Sequence, residues 1–420
     1  MDIDTLIIGG GAAGLAAACF ASPNSLVLER LPQSGRKILA TGGGRCNFTH
    51  DADAAAIAAC NPRCRRFVLP ALYHFPPDAL RVFFAERGVC SHAEPDGCVF
   101  PDSQRAADIL AALLACVQRR GTAIRTGVEV LGWTLAGEGA ERRIVSVETT
   151  QGKFFPRCVI LATGGQSYPE LGSNGSGFSL AASIGLTVEP PVPALAGLLT
   201  VDPWIHALAG IVCEQGRLWL DEKGGEKQAH EGPILLTHRG ISGPPALALS
   251  GEVNVRLRQL HQSGVPNPQI PVCFSIQKDR RKSDWMDLFE HWRKVHGGRS
   301  VHNLLSGEMP RGLALAFCAH AGVSACSMAQ ISRTTMEQLA QSCCASRVLI
   351  HGTEGWNRAM VTRGGVACDQ VDAKSLRCLS VANLFFAGEV LDVDFPCGGY
   401  NLTWAFASGR LAAEKAGLLR

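Results

Sequence analysis

The apolar positions at the start of the chain form an unbroken run that ends at a cluster of glycines. Residues 4–8 read Asp-Thr-Leu-Ile-Ile, and residues 9–14 read Gly-Gly-Gly-Ala-Ala-Gly. An alanine-rich segment at 15–21 follows, and a second apolar run at 25–28 ends in Glu29. Short continuous apolar runs are typical of buried parallel strands. The order of strand, glycine turn, helix, strand and acid predicts a βαβ unit that binds a dinucleotide.

Each glycine of this turn has a role in such a unit. Gly9 permits the tight turn, Gly11 lets the backbone approach a pyrophosphate, and Gly14 lets the helix pack on the strand. The amino-terminal N–H groups and dipole of the helix attract phosphates, and Glu29 can accept hydrogen bonds from a ribose. Glycines also cluster in ordinary structural turns, but the order of these features favours dinucleotide binding.

The pattern of the remaining chain changes between helical and strand periodicity several times. A proline-rich stretch at 189–193 interrupts both patterns and marks a boundary. Further on, glycine and serine precede Pro244 and Pro245, which suits the first turn of another helix. The predicted segments are mainly helices over 51–121, strands over 122–165, short strands over 195–276, helices over 284–347, a strand over 383–392, and a closing helix to residue 416.

The amino-acid composition indicates the class of protein and the compartment in which we expect it. The chain has 420 residues, of which 46% are hydrophobic, and a net charge of +3, too small to demand a polyanionic partner. No apolar run approaches the roughly 18 residues of a membrane helix, and the acidic start does not read as a signal peptide. The 17 cysteines form no Cys-x-x-Cys pair, so we expect reduced core thiols, no metal site, and a cytoplasmic protein.

The loop at 34–47 combines glycines with chemically active side chains. It carries three cations, the thiol of Cys46 and the amide of Asn47. We interpret it as a second cradle in which Lys37 and Arg45 lie near the phosphates or ring of a cofactor. An irregular surface loop is the alternative.

Two further groups of residues invite a functional interpretation. His238, in the segment Thr-His-Arg-Gly-Ile-Ser-Gly-Pro, is a candidate substrate contact, although a structural histidine is about as plausible. Basic residues between 278 and 299 indicate either a solvated face or a surface that contacts RNA. They are Lys278, Arg280, Arg281, Lys282, Arg293, Lys294 and Arg299.

Four motifs together resemble one family. They are Gly-Gly-Gly-Arg-Cys-Asn (42–47), Ala-Thr-Gly-Gly-Gln-Ser-Tyr-Pro (162–169), the segment around His238, and Ala-Gly-Glu-Val-Leu-Asp-Val-Asp with Gly-Gly-Tyr-Asn-Leu (387–402). In sequence and order these resemble the BaiN/RdsA family of bacterial FAD-dependent oxidoreductases, also labelled aminoacetone-oxidase-like. Phe395-Pro396-Cys397 and Arg363 depart from the family pattern, which expects smaller residues there.

The resemblance implies an α/β fold with a Rossmann-like FAD-binding domain of the two-dinucleotide-binding flavoprotein type. That domain would comprise residues 1–190 and 348–420, with an inserted β-barrel-like and helical domain at 191–347. Carried over motif by motif, the cofactor contacts would be Gly9, Gly11, Ala13, Gly14, Glu29, Arg30, Lys37, Gly43, Arg45, Asn47, Val128, Gly164, Gly388, Glu389, Asn401 and Leu402.

The resemblance also implies a reaction. Hydride would pass from NADH or NADPH, bound transiently, through flavin N5 to a conjugated C=C bond. Cys46 and Tyr168 are candidate proton donors, and His238 is a third candidate catalytic residue. The acceptor would be a small molecule or an rRNA uridine. A flavin-containing binding or regulatory protein with little turnover is the alternative from another class.

Overall fold

The computed structural model describes residues 3–419, which divide into two compact units. The first unit is formed by residues 3–192 and 360–419, and the second by residues 193–359. Up to residue 194 the elements are β1 (Ile3–Ile8), α1 (Ala12–Phe20), β2 (Ser25–Glu29), α2 (Arg36–Ala40), β3 (Thr49–His50), α3 (Ala54–Ala59), α4 (Arg65–His74), α5 (Pro77–Ala85), β4 (Ser91–Ala93), β5 (Cys98–Pro101), α6 (Ala106–Arg119), β6 (Ala123–Thr126), β7 (Val130–Ala136), β8 (Arg143–Thr149), β9 (Gly152–Phe154), β10 (Pro156–Leu161), α7 (Ser176–Ala182) and β11 (Val188–Ala194).

The second unit and the return segment supply the remaining elements. The second unit contains β12 (Leu198–Thr200), α8 (Pro203–His206), β13 (Val212–Leu220), β14 (His230–Thr237), β15 (Gly240–Ser242), α9 (Pro244–Gln262), β16 (Ile270–Ser275), α10 (Lys282–Val295), α11 (Val301–Leu305), α12 (Arg311–His320), α13 (Arg333–Ala345) and β17 (Ser346–Thr353). The return segment contains β18 (Val361–Val366), β19 (Leu384–Phe386) and α14 (Tyr400–Gly417).

A parallel sheet forms the centre of the first unit. Its strand order is β19-β10-β1-β2-β6, and every neighbouring pair is parallel. The strands are apolar throughout because helices cover such a sheet on both faces. From β1 the chain moves to β2 on one side, while β10 lies on the other side. The crevice where strand order reverses, at the carboxyl ends of β1 and β10, is where this class of sheet binds ligands.

Helices α1 and α14 approach each other closely through small residues. A Cβ on Gly409 of α14 would lie 2.3 Å from the carbonyl oxygen of Ala13 in α1, a distance that no real Cβ tolerates. Glycine is therefore required at this contact, and the contact joins the return segment to the first helix. At the far end of α14, Glu414 accepts hydrogen bonds from His74 at 2.6 Å and Arg410 at 2.8 Å.

The second unit is built on a closed barrel with the strand order β12-β15-β14-β13-β16-β17. Helices α10 and α13 bury Trp285, Phe289 and Met336 in its core. Segments that the sequence assigns mainly to strands include the 19-residue helix α9, which begins at Pro244 as the two prolines predict. The prediction of strands was wrong for residues 244–262. Polar residues of α9 interrupt its apolar positions, so their helical spacing is not evident from the sequence.

The expected boundary at 347/348 falls inside β17, which pairs with both β12 and β16 of the barrel. Because a strand cannot be cut out of a closed barrel, the chain returns to the first unit at residue 360 instead. Among residues 3–419, no helix has the length and apolar character needed to cross a membrane.

Candidate functional site

The glycine turn between β1 and α1 is shaped by close backbone contacts. Gly9 has φ +106°, and a Cβ there would lie 2.5 Å from the carbonyl oxygen of Ala162 at the end of β10. A Cβ on Gly14 would lie 1.8 Å from the carbonyl oxygen of Gly9. A Cβ on Gly11 would meet no atom within 4 Å. Gly11 is the N-cap of α1, so no side chain at this position accepts a hydrogen bond from the first turn of the helix. The turn therefore leaves the first turn of α1 open to an anionic group.

Glu29 lies beside this turn as predicted. Its carboxylate accepts hydrogen bonds from the amides of Gly10 and Leu31, both at 2.8 Å. Each oxygen keeps a second lone-pair direction for a hydroxyl donor. Val128 is buried and its amide donates to the Glu29 carbonyl oxygen at 3.0 Å, so it lies at the end of β2.

Two buried hydroxyl groups, which the sequence motifs did not indicate, support dinucleotide binding at this turn. The Oγ of Ser34 and the Oγ1 of Thr163 are buried without a hydrogen-bond partner. Ser34 Oγ would lie 2.6 Å from a Cβ on Gly10, and Thr163 directly follows Ala162 at the end of β10. Buried hydroxyls are normally satisfied, so both groups fit a ligand with oxygen acceptors. The only signal for them in the sequence is their place in glycine-containing loops.

Lys37 and Glu389 form one network although they are far apart in sequence. The Lys37 ammonium donates to Ser167 Oγ at 2.6 Å and to Glu389 Oε2 at 2.9 Å. Glu389 Oε1 also accepts from Ser167 Oγ at 3.1 Å and from the Thr362 amide at 2.6 Å. A Cβ on Gly165 would lie 2.9 Å from Glu389 Oε1, so glycine is needed beside the network. The predicted residues Lys37 and Glu389 are thus brought together, with Ser167 and Thr362 as partners that no motif indicated.

Other predicted contacts line the same edge of the sheet. Gly164 has φ +74°, and Gly388 has φ +76° with its Cβ position 2.7 Å from the Cβ of Ala13. Gly388 also receives a hydrogen bond from Trp404 Nε1 at 3.2 Å. Arg30 lies near the edge as well, where its Nη2 donates to the Gly172 carbonyl oxygen at 3.1 Å.

The glycine-rich loop is more regular than the sequence suggests. It contains the short helix α2 and a 3-10 turn at Thr41–Gly44, in which Gly43 has φ +65° and no neighbour that a Cβ would meet within 4 Å. The Arg45 guanidinium is directed to an exposed hairpin: its Nη1 donates to Glu94 at 2.8 Å and Gln104 at 3.3 Å. The expected role of Arg45 beside the cofactor therefore has no support from its side-chain contacts.

Cys46 is fully buried and has φ +64°. Burial raises the pKa of its thiol to about 11, against the opposing effect of a hydrogen bond with Thr41. The Arg45 guanidinium is directed to the hairpin, and burial dominates the pKa of the thiol. The Cys46 thiol is accordingly neutral at physiological pH.

The amino terminus of α14 is pressed against the same loop. A Cβ on Gly399 would lie 2.6 Å from Asn47 Oδ1, and Asn47 Oδ1 accepts a hydrogen bond from the Val99 amide at 3.2 Å. The Asn401 side chain is engaged with the neighbouring loop, because it accepts from the Phe395 amide and donates to the Phe395 carbonyl oxygen, both at 2.9 Å. Only the backbone of Asn401 is left to reach a ligand; Leu402, next in the helix, is half-buried.

Comparison with known proteins identifies the family. The family described as HI0933-like protein Rossmann domain matches residues 3–415. The chain belongs to this family. The 3-dehydro-bile acid delta(4,6)-reductase of Clostridium scindens is 32% identical to this HI0933-like chain, over 98% of each protein. The ribosomal RNA dihydrouridine synthase of Escherichia coli is 28% identical, over 98% of this chain and 97% of that protein.

A solved structure supports the fold. The 3-ketosteroid delta1-dehydrogenase of Sterolibacterium denitrificans superposes with a TM-score of 0.53, covering 100% of both chains at 12% identity. The predicted fold class is confirmed, and so is the family resemblance drawn from the four motifs.

Arg363, one of the departures from the expected family pattern, lies in a network of ion pairs. Arg363 Nε donates to Asp394 at 3.0 Å, and Asp394 also accepts from Arg63 Nη2 at 2.7 Å. Arg63 is further paired with Asp392. The Arg63 side chain is 42% exposed, and two buried carboxylates hold its guanidinium group. Arg363 is thus explained by an ion pair within the first unit.

The remaining candidates belong to different units: Tyr168 to the first unit, and His238 and the basic residues at 278–299 to the second. Tyr168 has φ +53° and is half-buried next to Ser167, and His238 is exposed in the turn between β14 and β15 of the second unit. Among the basic residues at 278–299, three form ion pairs with glutamates. These pairs are Lys278 with Glu231 at 3.5 Å, Arg280 with Glu308 at 2.9 Å, and Arg293 with Glu290 at 2.7 Å.

Proposed function

We propose that this protein is an FAD-dependent oxidoreductase that reduces a conjugated C=C bond, with NADH or NADPH as the reductant. The observation that supports this most is the open glycine cradle with two buried, unsatisfied hydroxyls at the switch point of the sheet. Its relation to a reductase that covers 98% of both chains supports the reaction class.

The residues of the crevice have distinct tasks in this proposal. The open turn at Gly11 and the amino terminus of α1 hold the pyrophosphate, and Glu29 accepts hydrogen bonds from the ribose hydroxyls. Ser34 and Thr163 supply donors to oxygen atoms of the cofactor. FAD, when bound, supplies the hydride chemistry that no side chain offers.

The protein must also deliver a proton to the reduced double bond. Cys46 keeps its proton at physiological pH because burial raises its pKa, and Tyr168 is the second candidate donor. Both belong to loops at the edge of the crevice, whereas His238 belongs to the second unit. Cys46→Ala and Tyr168→Phe variants, assayed for reoxidation of reduced flavin by acceptor, identify the donor as the one whose loss slows this step alone.

The first experiment is to release and identify the bound cofactor. Purified protein should be yellow and release FAD on denaturation, and NADH or NADPH should bleach it without oxygen. A bile-acid-type 3-ketone with conjugated double bonds should then restore the colour. Colourless protein that binds no added FAD would refute the proposal.

A second candidate acceptor is a uridine of ribosomal RNA, because two dihydrouridine synthases are 28% and 29% identical over nearly the whole chain. The ion pairs of Lys278, Arg280 and Arg293 with glutamates favour a solvated face over an RNA-binding surface. Mass spectrometry of host ribosomal RNA with and without the gene distinguishes the candidates, since loss of dihydrouridine on deletion would assign the RNA substrate.

A further inference from the structure

A cavity of about 200 Å³ lies at the end of α6, apart from the residues of the dinucleotide cradle. It is lined by Glu86, Arg87, Cys116, Arg119 and Arg120. Three guanidinium groups around one thiol have no part in dinucleotide binding. The cavity is therefore a candidate site for a ligand or reaction separate from dinucleotide binding.

The thiol in this cavity has a second thiol as its neighbour. Cys116 and Cys19 lie close enough for each thiol to shift the pKa of the other. Cys19 is on the last turn of α1, and its Sγ also donates to the Leu113 carbonyl oxygen at 3.6 Å, one turn before Cys116 in α6. The residues are 3% and 5% exposed, and of the two only Cys116 is among the residues that line the cavity.

The arginines are held in place and favour negative charge. The Arg87 guanidinium lies 3.6 Å from the centre of the Phe83 ring, and its Nε is buried without a hydrogen-bond partner. Arg120 Nη2 donates to the Ala21 carbonyl oxygen at 3.1 Å. The neighbouring Cys19 thiol, together with the Arg87 and Arg119 guanidinium groups, lowers the pKa of Cys116 against the opposing effect of burial. Glu86 is the acid among the lining residues, and it is paired with Arg87 at 3.5 Å.

We propose that Cys19 and Cys116 are a redox-active dithiol that reacts with small disulfides carrying carboxylate groups. The arginines attract the carboxylates, and the Cys116 thiolate attacks one sulfur of the reagent. The S–S bond of the reagent breaks, and one half leaves as a thiolate. The Cys19 thiol then loses its proton and attacks the Cys116 sulfur, which releases the second half. The protein loses two hydrogens, and the reagent becomes two thiols.

The product joins the last turn of α1 to the last turn of α6. Helix α6 also carries Leu110, whose Cδ1 would lie 2.3 Å from a Cβ on Gly35, at the start of α2. The disulfide would thus fix two helices that border the glycine turn and the loop after β2. This inference does not depend on the nature of the hydride acceptor.

The test uses two small disulfides of similar size and opposite charge. These are 3,3′-dithiodipropionate, which carries two carboxylates, and cystamine, which carries two ammonium groups. Peptide mapping by mass spectrometry of the full-length protein measures the rate at which the Cys19–Cys116 cross-link forms. We expect the dianionic reagent to react about 10-fold faster or more. Cys60, which is exposed and far from these arginines in sequence, is the internal reference and should show no such preference.

Three variants separate the steps. Cys19→Ser should accumulate a mixed disulfide on Cys116, because the resolving thiol is gone. Cys116→Ser should leave Cys19 unmodified, since its pKa is raised and the initiating thiolate is absent. Arg119→Gln, at an exposed position, should reduce the charge preference severalfold. The proposal is overturned if the wild-type protein forms no cross-link while Cys60 is modified, or if the charge preference at Cys116 equals that at Cys60. Because both results come from wild-type protein, a variant that fails to fold leaves the test intact.

Discussion

Replacing Glu389 with glutamine should destabilise the protein by about 2 kcal/mol, since it removes the charge that Lys37 contacts at 2.9 Å. The side chains of Lys37 and Glu389 are 25% and 20% exposed, so water compensates poorly for the lost bond. Glutamine keeps an oxygen for the Thr362 amide but turns its NH₂ group toward the ammonium. Lys37 would then keep Ser167 as an acceptor and lose its counter-charge.

The chain offers a matched control in an exposed pair. Lys153 and Glu148 are 2.6 Å apart, but their side chains are 56% and 45% exposed. Exposed pairs contribute about 0.2–1 kcal/mol, so Glu148→Gln should cost less than about 0.5 kcal/mol. The two substitutions change the same chemical group, and the difference between them therefore measures the effect of the surroundings.

Urea unfolding, followed by circular dichroism, measures both variants under the same conditions. Flavin is removed first, because a bound ligand raises the apparent stability by mass action. A double-mutant cycle with Lys37→Met should assign more than about 1 kcal/mol to the pair itself. Equal losses for Glu389→Gln and Glu148→Gln would refute the reasoning, and so would a coupling energy near zero.

Three further predictions concern the helix contact, the buried thiol and the carboxylate at the end of α14. Gly409→Ala should destabilise the protein by about 1–3 kcal/mol in urea unfolding, because the new Cβ would lie 2.3 Å from the Ala13 carbonyl oxygen. Gly417→Ala is the control: its Cβ would meet no atom within 4 Å, so the free energy of unfolding should not change measurably. Cys46 should be alkylated by iodoacetamide at pH 8 about 100-fold more slowly in native than in unfolded protein, since burial raises its pKa to about 11; equal rates would contradict this. Burial raises the pKa of Glu414, but hydrogen bonds from two basic neighbours prevail and lower it. Its charged form therefore stabilises the fold above the usual glutamate pKa, and the stability difference between wild type and Glu414→Gln should shrink as pH falls through the lowered pKa.

The sequence could predict the elements whose signal is local. The strand, glycine turn, helix and strand around Gly9 and Glu29 are contiguous, so periodicity and spacing were enough. Lys37 and Glu389 are 352 residues apart, and only the family resemblance, not periodicity, suggested that both serve one site. Nothing local could reveal that Arg63 contacts Asp392, because the basic residues around it look like a solvated face.

The misread segments have a common physical cause. Helix α9 is partly exposed along its length, and polar residues such as Asn254, Arg256 and Gln259 interrupt its apolar positions. The unsatisfied hydroxyls of Ser34 and Thr163 were invisible, since serine and threonine in glycine-rich loops usually remain solvated. When folding brings distant segments together into one site, the sequence therefore predicts some of the site residues but not the contacts that support them.

The discontinuity of the first unit has a consequence for biosynthesis. Strand β19 pairs with β10, and α14 packs on α1, but both are translated after the whole of residues 193–359. While the ribosome synthesises that stretch, the sheet lacks its edge strand and α1 lacks its partner. The second unit has a core of its own and can fold during this interval, which shortens the effective loop that must close. The nascent chain thus acquires a complete cofactor crevice only as its last helix leaves the exit tunnel, and truncation within α14 should yield apo-protein that is degraded.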